Sequence, residues 1–428
     1  MTPPRYRRYI LETVFLLACV NAAFLAANRF DLRSMPVVRA AVAYRAPAGA
    51  DSWMPMKLAY DHVRAHPEIP VYSELFFRQH VKFQYPVSGL LVLVPFEAAG
   101  LDARTTYRLL EVLSQLSLLV LLGACGLLAK GLLDEGNEEG GGPTAVTGWA
   151  AVASTVLLAA TFYPVYRAYH LGQVQLWIDA LLALAFLCHR SGRHRWTGAL
   201  LGLCTLVKPQ YALFLVWGLS RRMRGSIAAF LAVIALGGGV SVVLFGWKNF
   251  SEYPSVLSYL SLHGESFFPN QSVNGLLNRF LGTGPSLVWL PHAFPGYHPV
   301  VFAATAASSA ALAACALLLP LLRGAGGSLP DFGIFLLTCT MASPIAWEHH
   351  YGVLVPILIL LFARLGRFRP AERVLLGISF VAVAAEHRWT NLFPAAWRGL
   401  PQSYLFFGAL CILLLLYLLE SRQGEPAG

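Results

Sequence analysis

The sequence predicts an all-α polytopic membrane protein, and three observations predict it. Of 428 residues, 57% are hydrophobic and 13% charged, and the mean hydropathy is +0.57. A water-soluble core cannot hide that much apolar surface. Apolar runs of about 20 residues, the length that spans a hydrocarbon core of about 30 Å, recur along the chain. Lys and Arg outnumber Asp and Glu by 32 to 22, and they cluster in short loops between the runs, as cytoplasmic loops do. They form no aromatic-lined stripe, which sets nucleic-acid binding aside.

Full-length runs occupy residues 9–28, 107–130, 148–166, 172–189, 226–245, 299–322 and 404–419, with shorter ones at 87–99, 332–342, 352–363 and 374–385. The first is read as an uncleaved span, being too long for a signal peptide and without a small-residue cleavage site. Four basic clusters are assigned to the cytoplasm: Arg5/Arg7/Arg8, Arg190/Arg193/Arg195, Arg221/Arg222/Arg224 and Arg364/Arg367/Arg369/Arg373. Two of them flank the run 196–219, so one crossing there would separate them. A hairpin with Lys208-Pro209 at its tip resolves this, since proline breaks the helix and disfavours a helical residue before it. The same parity makes 87–99, with Pro95, a re-entrant or interfacial helix.

The result is a bundle of about 10–12 transmembrane helices. It forms one domain over residues 1–428, in the inner or plasma membrane, with both termini cytoplasmic. Residues 30–106 make a long first external loop, 247–298 a second, and 131–147 a flexible acidic, glycine-rich cytoplasmic linker without chemistry. The seven cysteines all fall in apolar segments without zinc-ligand spacing, so neither a disulfide framework nor a metal site is expected. No cofactor is expected either.

This topology puts the first loop, residues 170–173, Lys208, the second loop, residues 343–351 and Glu386-His387-Arg388-Trp389 on the external face. Simple helix connections need only a few residues, so a first loop this long and charged calls for a purpose. Asp51 and Asp61 both lie in it, each a candidate base or a solvated loop acid. Lys208, in apolar surroundings, costs roughly 2.5–3.5 kcal/mol unless it finds water or a partner. It is a snorkelling residue or, the favoured reading, a cation aimed at phosphate. Gln173 braces a neighbouring helix or contacts a sugar. In Ser343-Pro344-Ile345-Ala346-Trp347-Glu348-His349-His350-Tyr351, adjacent His349 and His350 point to different helix faces, which disfavours shared metal ligation. One of them hydrogen-bonding a phosphate or orienting Asp51 is the better reading. Asn270-Gln271-Ser272 is a further amide cluster.

In order, Asp51, Tyr72, Phe83-Gln84-Tyr85-Pro86, Gly172-Gln173, Lys208-Pro209, Asn270-Gln271-Ser272, Ser343-Pro344, Trp347 and His349-His350 resemble glycosyltransferase family 87. That family, of the C-type (GT-C) membrane glycosyltransferase superfamily, holds polyprenyl-phosphate-mannose-dependent mannosyltransferases and related arabinofuranosyltransferases. Two departures are the family's usual Tyr-Pro-Pro, here Tyr85-Pro86-Val87, and its more compact first loop. The resemblance implies an inverting transfer of a sugar, mannose ahead of arabinofuranose, from a polyprenyl-phosphate donor to a glycolipid or glycan hydroxyl at the outer face. Asp51 is then the base, because Asp61 lies too close to Tyr72 for the pattern. Lys208, His349, His350, Gln173 and Tyr85 are assigned to the donor. Trp53, Asn270, Gln271, Trp347 and Glu348 are assigned to the acceptor or the pocket. A non-enzymatic lipid transporter or flippase, or an assembly subunit, is the alternative.

Overall fold

The computed structural model describes residues 4–135, 144–324 and 326–422; among them there are nineteen α-helices and no strand. Helix α1 (Pro4–Ala27) leads to α2 (Pro36–Arg45), α3 (Trp53–Ala65), a π-helical turn (Tyr72–Arg78), a 3-10 turn (Val87–Val92) and the short α4 (Val94–Ala98). Then come α5 (Ala103–Asp134), α6 (Ala145–Thr161), α7 (Tyr163–Leu171), α8 (Gln175–Arg190), α9 (His194–Val207), α10 (Leu213–Ser220) and α11 (Arg224–Phe245). Helices α12 (Trp247–His263) and α13 (Val273–Leu281) precede α14 (Pro299–Leu322), α15 (Leu329–Met341), α16 (Leu354–Ala363), α17 (Pro370–Ala384), α18 (Ala395–Arg398) and α19 (Tyr404–Ser421).

Among the described residues, five helices are long and apolar enough to cross a membrane: α1, α5, α11, α14 and the stretch ending in α19. Helices α6 and α7, bent by 54°, add a sixth if they form one span. The other expected crossings are shorter helices, of which α15 and α16 are almost wholly buried by their neighbours. The chain is a multi-pass membrane protein.

Helix breaks redraw the bounds of two of the apolar runs. The run 148–166 divides at Phe162, which is extended, and Pro164 enters the first turn of α7, where its missing N–H costs nothing. The run 172–189 becomes helical only at Gln175, because Gly172 closes α7 in the left-handed conformation.

The interrupted run 196–219 folds as the expected hairpin. Glycines let α9 lie against α11 in parallel: Gly198 abuts the Ser226 backbone, Gly202 the Phe230 carbonyl and Val233, and Gly237 receives Leu206. Helix α10 returns, so that Gly218 lies beside Ile227 and Met223 N–H donates to the Gly218 carbonyl at 2.9 Å. Lys208, extended at φ −130°, forms the tip. The run 87–99 forms two short helical pieces and no long helix; the first packs at this tip, where Ser88 Oγ donates to the Leu206 carbonyl.

Basic residues from three of the four clusters meet at one end of the bundle. Arg190 pairs with Glu135 at 2.8 Å, Arg364 pairs with the same carboxylate, and Arg5 donates to its backbone carbonyl at 2.5 Å. Residues 136–143 of the expected linker lie outside the described residues. Its acidic start nevertheless carries counter-charge for the basic loops.

The first long loop is a small packed unit. Trp53, Met56, Tyr60, Tyr72, Phe76 and Phe83 form an apolar core with Phe245, Tyr253 and Val256, which binds it to the second loop. Lys82 Nζ fastens the two, 2.8 Å from Glu265 and 3.8 Å above the centre of the Trp289 ring. Burial pushes the Lys82 ammonium below its ordinary pKa and Glu265 pulls it back up. Glu265→Ala strands that cation and is expected to cost about 3–5 kcal/mol. Thermal unfolding in detergent checks this, and an unchanged transition would remove the lock from the account.

Candidate active site

The site begins with a backbone clamp. Residues 47–52, with Pro47 and Gly49, form no helix until Trp53 and lie along the C-terminal end of α7. Gly49 N–H donates to the His170 carbonyl at 2.9 Å, Asp51 N–H to Leu171 at 3.0 Å, and Ser52 N–H to Gly172 at 3.3 Å. The carbonyls left open at a helix end thus gain partners. The clamp needs glycine at two points. Gly172 has φ +66°, and a Cβ there would sit 1.7 Å from the Gly49 carbonyl oxygen; one on Gly49 would sit 2.7 Å from that of Leu171. Gly172→Ala is expected to displace Asp51 by about an ångström, enough for a loss near a hundredfold in rate. Comparing transfer rate with retained helicity separates this from unfolding.

Side chains then define the cleft. Gln173 Nε2 donates to Asp51 Oδ2 at 2.5 Å, and Gln173 Oε1 accepts from Ser52 Oγ at 2.7 Å. Ser52 Oγ also lies 2.8 Å from the Tyr85 hydroxyl. Two residues on, Gln175 Oε1 accepts from Lys208 Nζ at 2.5 Å, while its Nε2 donates to Asp179 Oδ1 at 2.7 Å. A pair of amides flanking Val174 therefore holds the loop carboxylate on one side and the hairpin-tip ammonium on the other. Asp179, 1% exposed, is the buried acid behind Lys208. Its second oxygen has no hydrogen-bond partner and fits the space left by Gly352, where a Cβ would lie 2.0 Å from it.

Helix α7 carries a stripe at four-residue spacing: Tyr163, Arg167 and Leu171. Tyr163 OH donates to Glu348 at 2.6 Å, and the Leu171 carbonyl holds the Asp51 backbone. Arg167, half-buried between them, has no hydrogen-bond or ion-pair partner among the described residues. Its charge acts on Asp51, on Glu348 and on His349. His349 and His350 stand edge to face, their rings 4.8 Å apart and both within electrostatic reach of Lys208. His349 Nε2 and His350 Nδ1 are buried without partners.

The remaining candidates build walls. Asn270 forms an isolated antiparallel bridge with Trp347, and its Oδ1 accepts from Ala346 N–H at 2.9 Å. Gln271 Nε2 donates to the carbonyls of Phe268 and Gln402, and Oε1 accepts from Phe406 N–H. With their amides engaged on both sides, Asn270 braces residues 344–347 and Gln271 ties its own turn to the start of α19, rather than reaching into the cleft. Glu348 accepts from both Tyr163 and Tyr404, the latter at 2.8 Å. Trp53 is buried against Trp177 at 5.0 Å, and Trp347 meets Trp289 at 5.3 Å. Asp61 is taken up by an exposed ion pair with Lys57 at 2.6 Å.

Arg167 and Asp179 are the residues that sequence reasoning missed. Both had a signal: a charge in or beside an apolar run is costly unless function or a partner retains it. No group of three His, Cys, Asp or Glu placed to hold a metal exists among the described residues.

Asp51 is exposed to the cleft yet surrounded by protein mass. This desolvation pushes its carboxyl above the ordinary aspartate pKa, while the Gln173 hydrogen bond and the Arg167 charge pull it down. A carboxylate so placed can accept a proton from a neighbouring hydroxyl, and the unpartnered nitrogens nearby can hold an oxyanion.

Comparison with known proteins adds to this geometry. Over 239 residues, the chain is 32% identical to a polyprenol-phosphate-mannose-dependent alpha-(1-2)-phosphatidylinositol pentamannoside mannosyltransferase of Mycobacterium tuberculosis, covering 55% of this chain and 51% of the relative. It is 28% identical over 278 residues to the protein of the same name in Mycolicibacterium smegmatis, covering 61% and 62%. A phosphatidylinositol mannoside mannosyltransferase of the latter organism, with the same donor in its name, matches at 25% over 296 residues, covering 64% and 62%. The chain thus spans about half to three-fifths of the length of the curated relatives it matches. The model of glycosyltransferase family 87 matches residues 83–344, a segment that includes Tyr85, Arg167, Gln173, Asp179 and Lys208 and leaves Asp51 and His349 outside it. More than half of the sequence, from Phe83 to the proline braced by Asn270, carries that signature, and the chain belongs to glycosyltransferase family 87.

Proposed function

We propose that this chain is an inverting glycosyltransferase that moves mannose from a polyprenyl-phosphate donor to a glycolipid hydroxyl at the outer membrane face. The observation that carries the reading is the clasp of Gln173 and Gln175, which keeps one carboxylate and one buried cation at the same cleft. Relatives named for a polyprenol-phosphate-mannose donor and a phosphatidylinositol mannoside acceptor support the substrate classes. Asp51 accepts the proton of the acceptor hydroxyl as its oxygen attacks C1 from the face opposite the phosphate. The C1–O bond breaks, and its electron pair leaves with the phosphate oxygen. Polyprenyl phosphate is a good leaving group without protonation, so one carboxylate suffices where typical glycosidases use two. Arg167, His349 and His350 face the developing phosphate charge, with Lys208 behind them, and Tyr85 and Gln173 fix the base. The whole chain acts as one transmembrane domain, with the two external loops closing the cleft.

Incubating purified protein with radiolabelled polyprenyl-phosphate mannose and a membrane lipid extract is expected to yield labelled glycolipid. Labelling from a nucleotide sugar instead would overturn the donor assignment. Transfer from polyprenyl-phosphate arabinose alone would replace mannose by arabinofuranose.

A further inference from the structure

A cavity of about 820 Å³ opens at the other end of the bundle, between the start of α9, the α10–α11 turn and Gly327 before α15. Helix α8 runs from Gln175 at the cleft to Arg190 at this end, 16 residues or about 24 Å at 1.5 Å per residue. The cavity is therefore separate from the Asp51 site. Arg193, His194, Arg195, Arg222 and Arg224 line it, and no acidic residue does.

A general excess of basic residues at one membrane face does not by itself gather four guanidinium groups around one cavity, and several cations elsewhere at this end are paired. Lys130 meets Asp134, Arg190 and Arg364 meet Glu135, and Arg422 meets Glu372. Arg221, at the cavity's inner wall, is wholly buried and pairs with Asp331 at 2.8 Å. It holds the α10–α11 turn against α15. By contrast, the side chains of Arg193, Arg195, Arg222 and Arg224 have no hydrogen-bond or ion-pair partner among the described residues. Helices α9 and α11 both begin at the rim, and neither Arg193 nor Met223 supplies a side-chain cap. The first N–H of each helix bonds to the carbonyl two residues back; the next N–H groups and the positive ends of two helix dipoles add to the four guanidinium groups. Trp196, 65% exposed, stands beside them, as aromatic residues do at headgroup level.

We propose that this cavity binds a phosphate-bearing anion, either the headgroup of an anionic lipid or a soluble phosphate of the same chemistry. Planar guanidinium groups pair with phosphate oxygens in bidentate fashion. The volume lies within the range of small-ligand sites, and basic pockets between membrane helices suit multiply charged headgroups.

The test uses full-length protein in neutral detergent, with thermal unfolding as the readout. It is titrated with cardiolipin-doped or phosphatidylcholine-only micelles and, separately, with pyrophosphate against sodium chloride of equal ionic strength. Saturable stabilisation by cardiolipin alone identifies a lipid headgroup; stabilisation by pyrophosphate as well identifies the free anion. Both support the site. The triple variant R195Q/R222Q/R224Q is expected to bind about a hundredfold more weakly, with sugar transfer in neutral detergent unchanged. The lysine triple, which keeps the charge but loses the fork, is expected to fall between. Equal responses from native and glutamine forms, or no response to either probe, would overturn the proposal.

Discussion

Asp51→Asn is expected to lower turnover by about 10²–10⁴, the usual contribution of a positioned general base, while leaving donor binding intact. The substitution is isosteric, and an asparagine oxygen still accepts from Gln173, so the clamp on α7 persists. What is lost is the ability to take the acceptor proton. Radiolabelled transfer measured beside donor binding separates chemistry from folding, and a variant that turns over normally would eliminate Asp51 as the base. The pH profile gives an independent check. The base works ionised, so the rate falls as pH drops through its pKa. Because burial raises that pKa, the acid limb is expected above the value of about 3.9 for a free aspartate.

Arg167→Gln is expected to reduce kcat by about 10²–10³, as removal of one donor to a developing oxyanion does, and to raise the donor KM. Its guanidinium has no hydrogen-bond or ion-pair partner among the described residues, so on the proposed reading the phosphate loses a charge-assisted contact. The same change removes a positive charge that lowers the Asp51 pKa, which moves the acid limb to higher pH. Arg167→Lys keeps the charge without the fork; it should restore the pH profile but only part of the rate. If Arg167 serves only to balance Glu348 and Glu386, the glutamine variant will unfold at lower temperature with the acid limb unmoved. That outcome would take the residue out of the phosphate site.

Much of the fold was legible because the bilayer imposes simple rules on a sequence. Run length marked the spans, and the two basic clusters around residues 196–219 required a hairpin whose tip is Lys208. The breaks at Phe162 and Gly172 were harder to read. Apolar composition continues through Phe162, and a kink next to proline leaves hydropathy unchanged; Gly172 lies between the polar residues His170 and Gln173, and its left-handed turn leaves no mark in composition either.

The sequence by itself determined the membrane class, the hairpin, the polar loop that holds Asp51 and the resemblance to family 87, all properties of local composition and order. Only the tertiary structure decided which polar groups are already engaged. It showed Asn270, Gln271 and Glu348 satisfied within the protein, and, among the described residues, the Arg167 guanidinium, His349 Nε2 and His350 Nδ1 left without partners. It also set Gln173 and Gln175 on opposite charges. The physical reason is that hydrogen-bond satisfaction depends on distances across the chain, and Asp51 meets Gln173, or Lys208 meets Gln175, only once the helices between them have packed.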